Sequence, residues 1–178
     1  RLTIADAFAS AIVRAHRTIR ISSPYFLPPA LLLDALRLAA RGGVRVQVMI
    51  PSCSDSPFTD LISDSYIGDL LDAGVELYRY DNGFLHAKLL IVDEDTASVG
   101  TANMDYRSLF LHFECGVLLL QNSQVLALRD DVRRTLPQCR EVFSKMEAIY
   151  HVHFHIPPYA EYRTAIGAAL AYIKERQG

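Results

Sequence analysis

The stretch GFLHAKLLIVDEDTASVGTAN, residues 83–103, decides how the chain folds. Two runs, HAKLLIVD and TASVGTAN, flank a short acidic turn and read as neighbouring strands, and a third, FECGVLLL (113–120), follows without an intervening helix. Upstream the order is different. Apolar residues at three- to four-residue spacing predict a helix over 3–17, followed by the strand TIRIS (18–22) and a loop, SPYFLPP. A helix over 29–41 then stops at Gly42-Gly43, and VRVQVMI (44–50) is a strand closed by Pro51. A helix over 59–73, opened by Thr59 or Asp60 and ended by Gly74, leads into the strand VELYRY. Helix–strand units followed by hairpins predict an α/β fold in which helices flank a mixed sheet.

The quoted stretch also holds residues that are costly to bury. In a strand, side chains at i and i+2 share a face, so His86 and Lys88 project together, as do Thr101 and Asn103. If the two strands pair, an imidazole, an ammonium, a hydroxyl and an amide converge. That set suits a phosphoryl site: a nucleophile or acid/base, a cation for the charge, and donors for the remaining oxygens. Asp93 is seven residues from His86, an odd offset that turns it to the opposite face and assigns it a structural role. No metal or other cofactor is expected, because Lys is a poor ligand and no thiol or carboxylate accompanies His86 at ligand spacing.

Composition narrows the class. A chain of 178 residues with 51% hydrophobic and 21% charged residues is neither disordered nor collagen-like. It lacks the run of about 18 apolar residues that a membrane span needs, so the piece is expected to be soluble. A net charge of −2 argues against a nucleic-acid partner. Cys53, Cys115 and Cys139 are odd in number and widely spaced, which predicts buried, reduced thiols. The chain starts at Arg1, directly before a capping-box-like Thr3 and Asp6, and is expected to be a piece of something longer.

The spacing H-A-K-(x)4-D, at His86, Lys88 and Asp93, followed by G-T-A-N at 100–103, resembles the HKD motif of the phospholipase D superfamily, with Thr101 where that family usually has Ser. ISSPYFLPP, AARGGVRVQVMIP, LLDAGVELYRY and GTANMDYRSLFLHFE extend the resemblance to the second catalytic half of bacterial cardiolipin synthases, over about residues 1–142. The resemblance implies a phospholipase D-like fold holding a single HKD half. It implies joining of two phosphatidylglycerol molecules into cardiolipin, with release of glycerol, through a phosphohistidine. His86 would be the nucleophile or the acid/base, Lys88 and Asn103 would bind phosphate with help from Thr101, and Glu114 would orient the histidine. Asp93 and Gly100 would be supporting members of the motif.

No other H-x-K occurs in the chain, so half an active site is expected. The missing half would come from the same longer protein or from a second copy. The parent protein would work at the cytoplasmic membrane, on a phospholipid, and the isolated piece would be inactive or nearly so in lipid synthesis. Two rival readings are a homodimeric single-HKD phosphodiesterase or nuclease, and an idle fragment that binds a lipid head group. His16 is assigned to solvent and His112 to an ordinary surface or sheet position, with lining of the pocket as the alternative.

Residues 143–178 depart from the family, whose second half usually carries tryptophan near its end; this chain has none. They are assigned to a tail of uncertain structure, after a helical stretch over 123–148. His151, His153 and His155 share one strand face in that tail. Successive same-face residues lie roughly 6–7 Å apart, too far for all three to meet one ion.

Overall fold

A computed structural model describes residues 3–52 and 57–142, with no side-chain detail for 57–64. Helix α1 (Ile4–Val13) opens with the expected capping box: the Asp6 N–H donates to Thr3 Oγ1 at 3.2 Å, and the Thr3 N–H donates to Asp6 Oδ2 at 2.9 Å. The helix ends four residues sooner than its apolar spacing predicts. The N–H groups of His16, Arg17 and Thr18, which would continue the helix, donate instead to the carboxylate of Asp93.

Strand β1 (Thr18–Ser22), the two-residue β2 (Phe26–Leu27), α2 (Ala30–Arg41) and β3 (Arg45–Pro51) follow. The predicted SPYFLPP loop therefore contains a short bridge, and Pro51 belongs to its strand. Helix α3 (Pro57–Asp72) starts two residues ahead of Thr59, and β4 (Glu76–Tyr80) follows the left-handed Gly74, at φ 91°. The hairpin strands are β5 (Leu89–Val92), β6 (Thr96–Gly100) and β8 (Gly116–Leu120), with the two-residue β7 (Met104–Asp105) and a π-helical turn (Arg107–Leu111) between the last two. The predicted helix over 123–148 is shorter: α4 (Ser123–Thr135) passes through a 3-10 turn containing Pro137 into β9 (Cys139–Val142). Proline removes the N–H that an uninterrupted helix would use there.

The main sheet has the order β8-β6-β5-β1-β3-β4-β9, and β2 pairs separately with β7. The β1–β3 and β3–β4 pairs are parallel; β5, β6, β8 and β9 join antiparallel. The α/β mixed sheet is thus the predicted one, with β9 added at its edge. α1, α2 and α3 cover one face and α4 the other. Alternation along the strands fills both sides: Ile19, Ile21, Val46, Val48, Leu77, Leu90 and Val92 pack under α1 and α2, whereas Met49, Ile91 and Ala97 pack under α4 with Val125 and Val132.

No helix among the described residues is long and apolar enough to cross a membrane. Cys115 is exposed, contrary to the expectation of a buried thiol, because β8 is an edge strand and Cys115 immediately precedes it. Cys139 is partly buried, which pushes its thiol up to about 11. Residues 143–178, with the three-histidine pattern of the tail, and Cys53 lie outside the described residues.

Candidate active site

The site is built where β5, β6 and β8 meet. Register fixes it: Leu89 faces Val99, and Gly100 faces Gly116. The ladder continues one step beyond the glycines, since the Thr101 N–H donates to Cys115 O at 2.9 Å and the Cys115 N–H donates to Thr101 Oγ1 at 3.0 Å. This closeness explains the glycine. A Cβ on Gly100 would overlap the Cys115 carbonyl oxygen and lie 2.6 Å from Gly116 Cα.

Thr101, held this way, donates its hydroxyl to Glu114 Oε2. The other carboxylate oxygen of Glu114 is 3.7 Å from His112 Nδ1, and the Glu114 side chain is only 11% exposed. Lys88 reaches toward the same region. Burial lowers its ammonium below the ordinary lysine range, while the charge of Glu114 acts in the opposite direction. Its Nζ donates to the carbonyl oxygen of His86 at 2.8 Å.

Residues 86–88 are extended but precede the strand, which starts at Leu89 rather than at His86 as predicted. The cause is the neighbour: β1 ends at Ser22, ahead of Pro24, so residues 86–88 have no strand partner on that side. Ser22 Oγ still donates to the Ala87 carbonyl at 3.3 Å, and the Gly100 N–H donates to that of Lys88 at 3.3 Å. His86 is exposed and its ring lies against Phe84, with centroids 5.4 Å apart. Neither ring nitrogen makes a hydrogen bond among the described residues. Glu114, expected to orient this histidine, is engaged with Thr101 and His112 instead.

Asn103 stands just before β7. Its Nδ2 donates to Ser108 Oγ at 3.3 Å, and its Oδ1 is buried with no partner. Turning the amide by half a revolution lets Ser108 donate to Oδ1 and places the Nδ2 donor at that buried position. The π turn that follows is anchored by Asp105, whose Oδ1 accepts the Ser108 N–H at 2.6 Å.

Asp93 lies away from this cluster, at the far end of β5. It adopts φ 51° and its carboxylate accepts three backbone N–H groups, from His16 (2.5 Å), Arg17 (2.7 Å) and Thr18 (2.8 Å). Burial by itself raises its pKa; the Thr18, His16 and Arg17 donors outweigh that and hold it below the usual carboxylate range.

The structure therefore brings Lys88, Gly100, Thr101, Asn103 and Glu114 together, leaves His86 at the rim with an uncapped ring, and sets Asp93 apart. His112, partly exposed, lies 3.7 Å from Glu114 and lines a cleft beside it. The signal for it was its place two residues before Glu114, and the π turn that delivers it has no sequence signature. Among the described residues no group of His, Cys, Asp and Glu could hold a metal ion.

Comparison with known proteins gives the arrangement a context. The family model described as "Cardiolipin synthase, PLD-like domain" matches residues 8–136. A cardiolipin synthase of Listeria welshimeri is 41% identical over 146 residues, 80% of this chain and 30% of that protein. The major cardiolipin synthase of Bacillus subtilis is 50% identical over 116 residues, 65% of this chain and 24% of that protein. The chain thus spans less than a third of the length of these relatives. Among solved structures, the phospholipase D family member Nuc from Salmonella typhimurium superposes with a TM-score of 0.70 at 23% identity, covering 78% of this chain and 90% of that one. Phosphatidylserine synthase from Haemophilus influenzae superposes with a TM-score of 0.67 at 15% identity, covering 97% and 43%. Both share the fold.

Proposed function

The chain belongs to the family of cardiolipin synthase PLD-like domains, and from that premise we propose that it supplies one of two HKD halves of a phosphatidyltransferase that joins two phosphatidylglycerol molecules into cardiolipin. The observation that carries the reading is the convergence of Lys88, Thr101, Asn103 and Glu114 at one end of β5, β6 and β8, beside a histidine whose nitrogens are unoccupied.

In this reading His86 attacks the phosphodiester phosphorus and forms a phosphohistidine as the glycerol alkoxide leaves. The histidine of the other half protonates that leaving oxygen, then takes a proton from the incoming alcohol, which attacks phosphorus and frees His86. Lys88 and the turned amide of Asn103 hold the non-bridging oxygens, where a charge-assisted donor is worth about twice a neutral one. Thr101 fixes Glu114 and so keeps a negative charge close to Lys88.

The His86 ring has no acceptor among the described residues, and a second half would supply one. The edge strand β8 supports a two-half site: Val117, Leu118 and Leu120 are all more than half exposed, an apolar surface suited to a second half from the same longer protein or from a second copy. The parent protein acts at the cytoplasmic membrane, where its lipid substrate lies.

The test uses the full-length protein with phosphatidylglycerol vesicles. His86→Ala is expected to lower cardiolipin formation by at least about a thousandfold, as loss of a covalent nucleophile does. Cardiolipin formation within tenfold of wild type by that variant would refute the assignment. The 178-residue chain alone is expected to form none; formation at the rate of the full-length protein would refute the two-half reading.

A further inference from the structure

Two clefts meet at Glu114, and their chemistry differs. The first, about 260 Å³, has Ile4, Phe8, Met104 and Leu118 among its walls, and Lys88 and Glu114 also border it. The second, about 700 Å³, is walled by Tyr25, Tyr66, Asn103, Arg107, Ser108 and His112, again with Glu114 at its border. One cleft is mainly apolar. The other also has apolar lining but adds hydroxyl, amide, guanidinium and imidazole groups, which suit a hydroxyl-bearing ligand better than an alkyl chain.

The π turn supplies part of the wall of the second cleft. The His112 N–H closes it on the Arg107 carbonyl at 2.9 Å, and the wider turn sets both side chains against one space. His112 Nδ1 lies 3.7 Å from Glu114, a carboxylate that is itself fixed by Thr101, which puts a negative charge on that side of the ring. The imidazole is 45% exposed, open enough to be reached.

A phospholipid divides in the same way, with acyl chains on one side of the phosphate and a hydroxyl-bearing alcohol on the other. Resting on the phosphatidyl transfer proposed above, we propose that the cleft beside the π turn is the alcohol subsite and that His112 binds a hydroxyl of the alcohol that enters there. His112 then decides how often the phosphohistidine is captured by a lipid alcohol rather than by water. Arg107 lines the same cleft.

The experiment reads that partition. Full-length wild type and His112→Ala are given phosphatidylglycerol vesicles, and cardiolipin and phosphatidic acid are measured together by mass spectrometry. The expected result is a cardiolipin-to-phosphatidic-acid ratio about tenfold lower in the variant, whatever the change in the sum of both products. A ratio within twofold of wild type, whether or not the sum falls, overturns the proposal, because a merely structural loss lowers both products alike. His86→Ala separates the two levels: it is expected to abolish both products. Wild-type protein that forms neither product overturns the reading on which the subsite rests.

Discussion

Replacing Asp93 with Asn tests whether this member of the motif acts on the fold or on the chemistry. Asn tolerates the left-handed backbone at φ 51°, so the change leaves the turn allowed and removes only the charge and one acceptor. Oδ1 keeps the Arg17 and Thr18 N–H groups, now as neutral bonds. The His16 N–H, 2.5 Å from Oδ2, instead meets an amide donor. A hydrogen bond to a charged group contributes about 1.5–3 kcal/mol and a neutral one about 1, so one bond lost and two weakened give a destabilisation of about 3 kcal/mol.

The sign of the pH dependence follows from the lowered pKa. A carboxylate whose folded pKa lies below its unfolded value of about 3.9 contributes fully above that value and loses its contribution as pH falls through the folded pKa. Urea unfolding of the chain, followed by circular dichroism, is therefore expected to show the full difference between wild type and Asp93→Asn at pH 7. The difference should shrink once the pH drops below about 4. A variant within about 0.5 kcal/mol of wild type at pH 7 would refute the bonding account. If the same variant lost turnover as completely as His86→Ala in the full-length protein, Asp93 would belong to the chemistry after all.

Two further changes probe the β6–β8 seam. Gly100→Ala should destabilise the chain by about 3 kcal/mol, since the added Cβ meets backbone atoms that cannot swing away; Gly116→Ala, whose Cβ would stand 3.2 Å from Val99 O, should cost less, and equal costs in urea unfolding would contradict the geometry. Thr101→Ser keeps the hydroxyl that holds Glu114, so cardiolipin formation by the full-length protein should stay within about threefold, whereas Thr101→Val should lower it by about tenfold or more. Matching rates for the Ser and Val variants would remove the hydroxyl from the account.

Much of the fold is legible along the chain because periodicity and punctuation are local. The capping box at Thr3 and Asp6, the strands closed by proline and the glycine at 74 each act within a few residues. What eluded that reading depends on distant partners. α1 stops at Val13 because a carboxylate 77 positions from His16 takes the next N–H groups. β5 starts at Leu89 because β1 has already ended. β9 is a strand because β4 offers it an open edge. In the site, spacing indicated Lys88, Thr101 and Asn103, but not which carboxylate oxygen faces which group, nor that a π turn brings His112 beside Glu114.

By itself the sequence determined the residue types and their intervals: a histidine, a lysine, a glycine and an asparagine spaced so that they fall at or just beyond the ends of two strands. Two-residue periodicity does not reach Asp93, which lies past the end of β5 in a left-handed turn. Only the tertiary structure decided the pairings, because register between strands and the course of a connecting turn are set by packing and by hydrogen bonds across the sheet. Glu114 meets Thr101 and His112, Asp93 meets the N–H groups of residues 16–18, and His86 meets no acceptor among the described residues, pairings that no interval along the chain specifies.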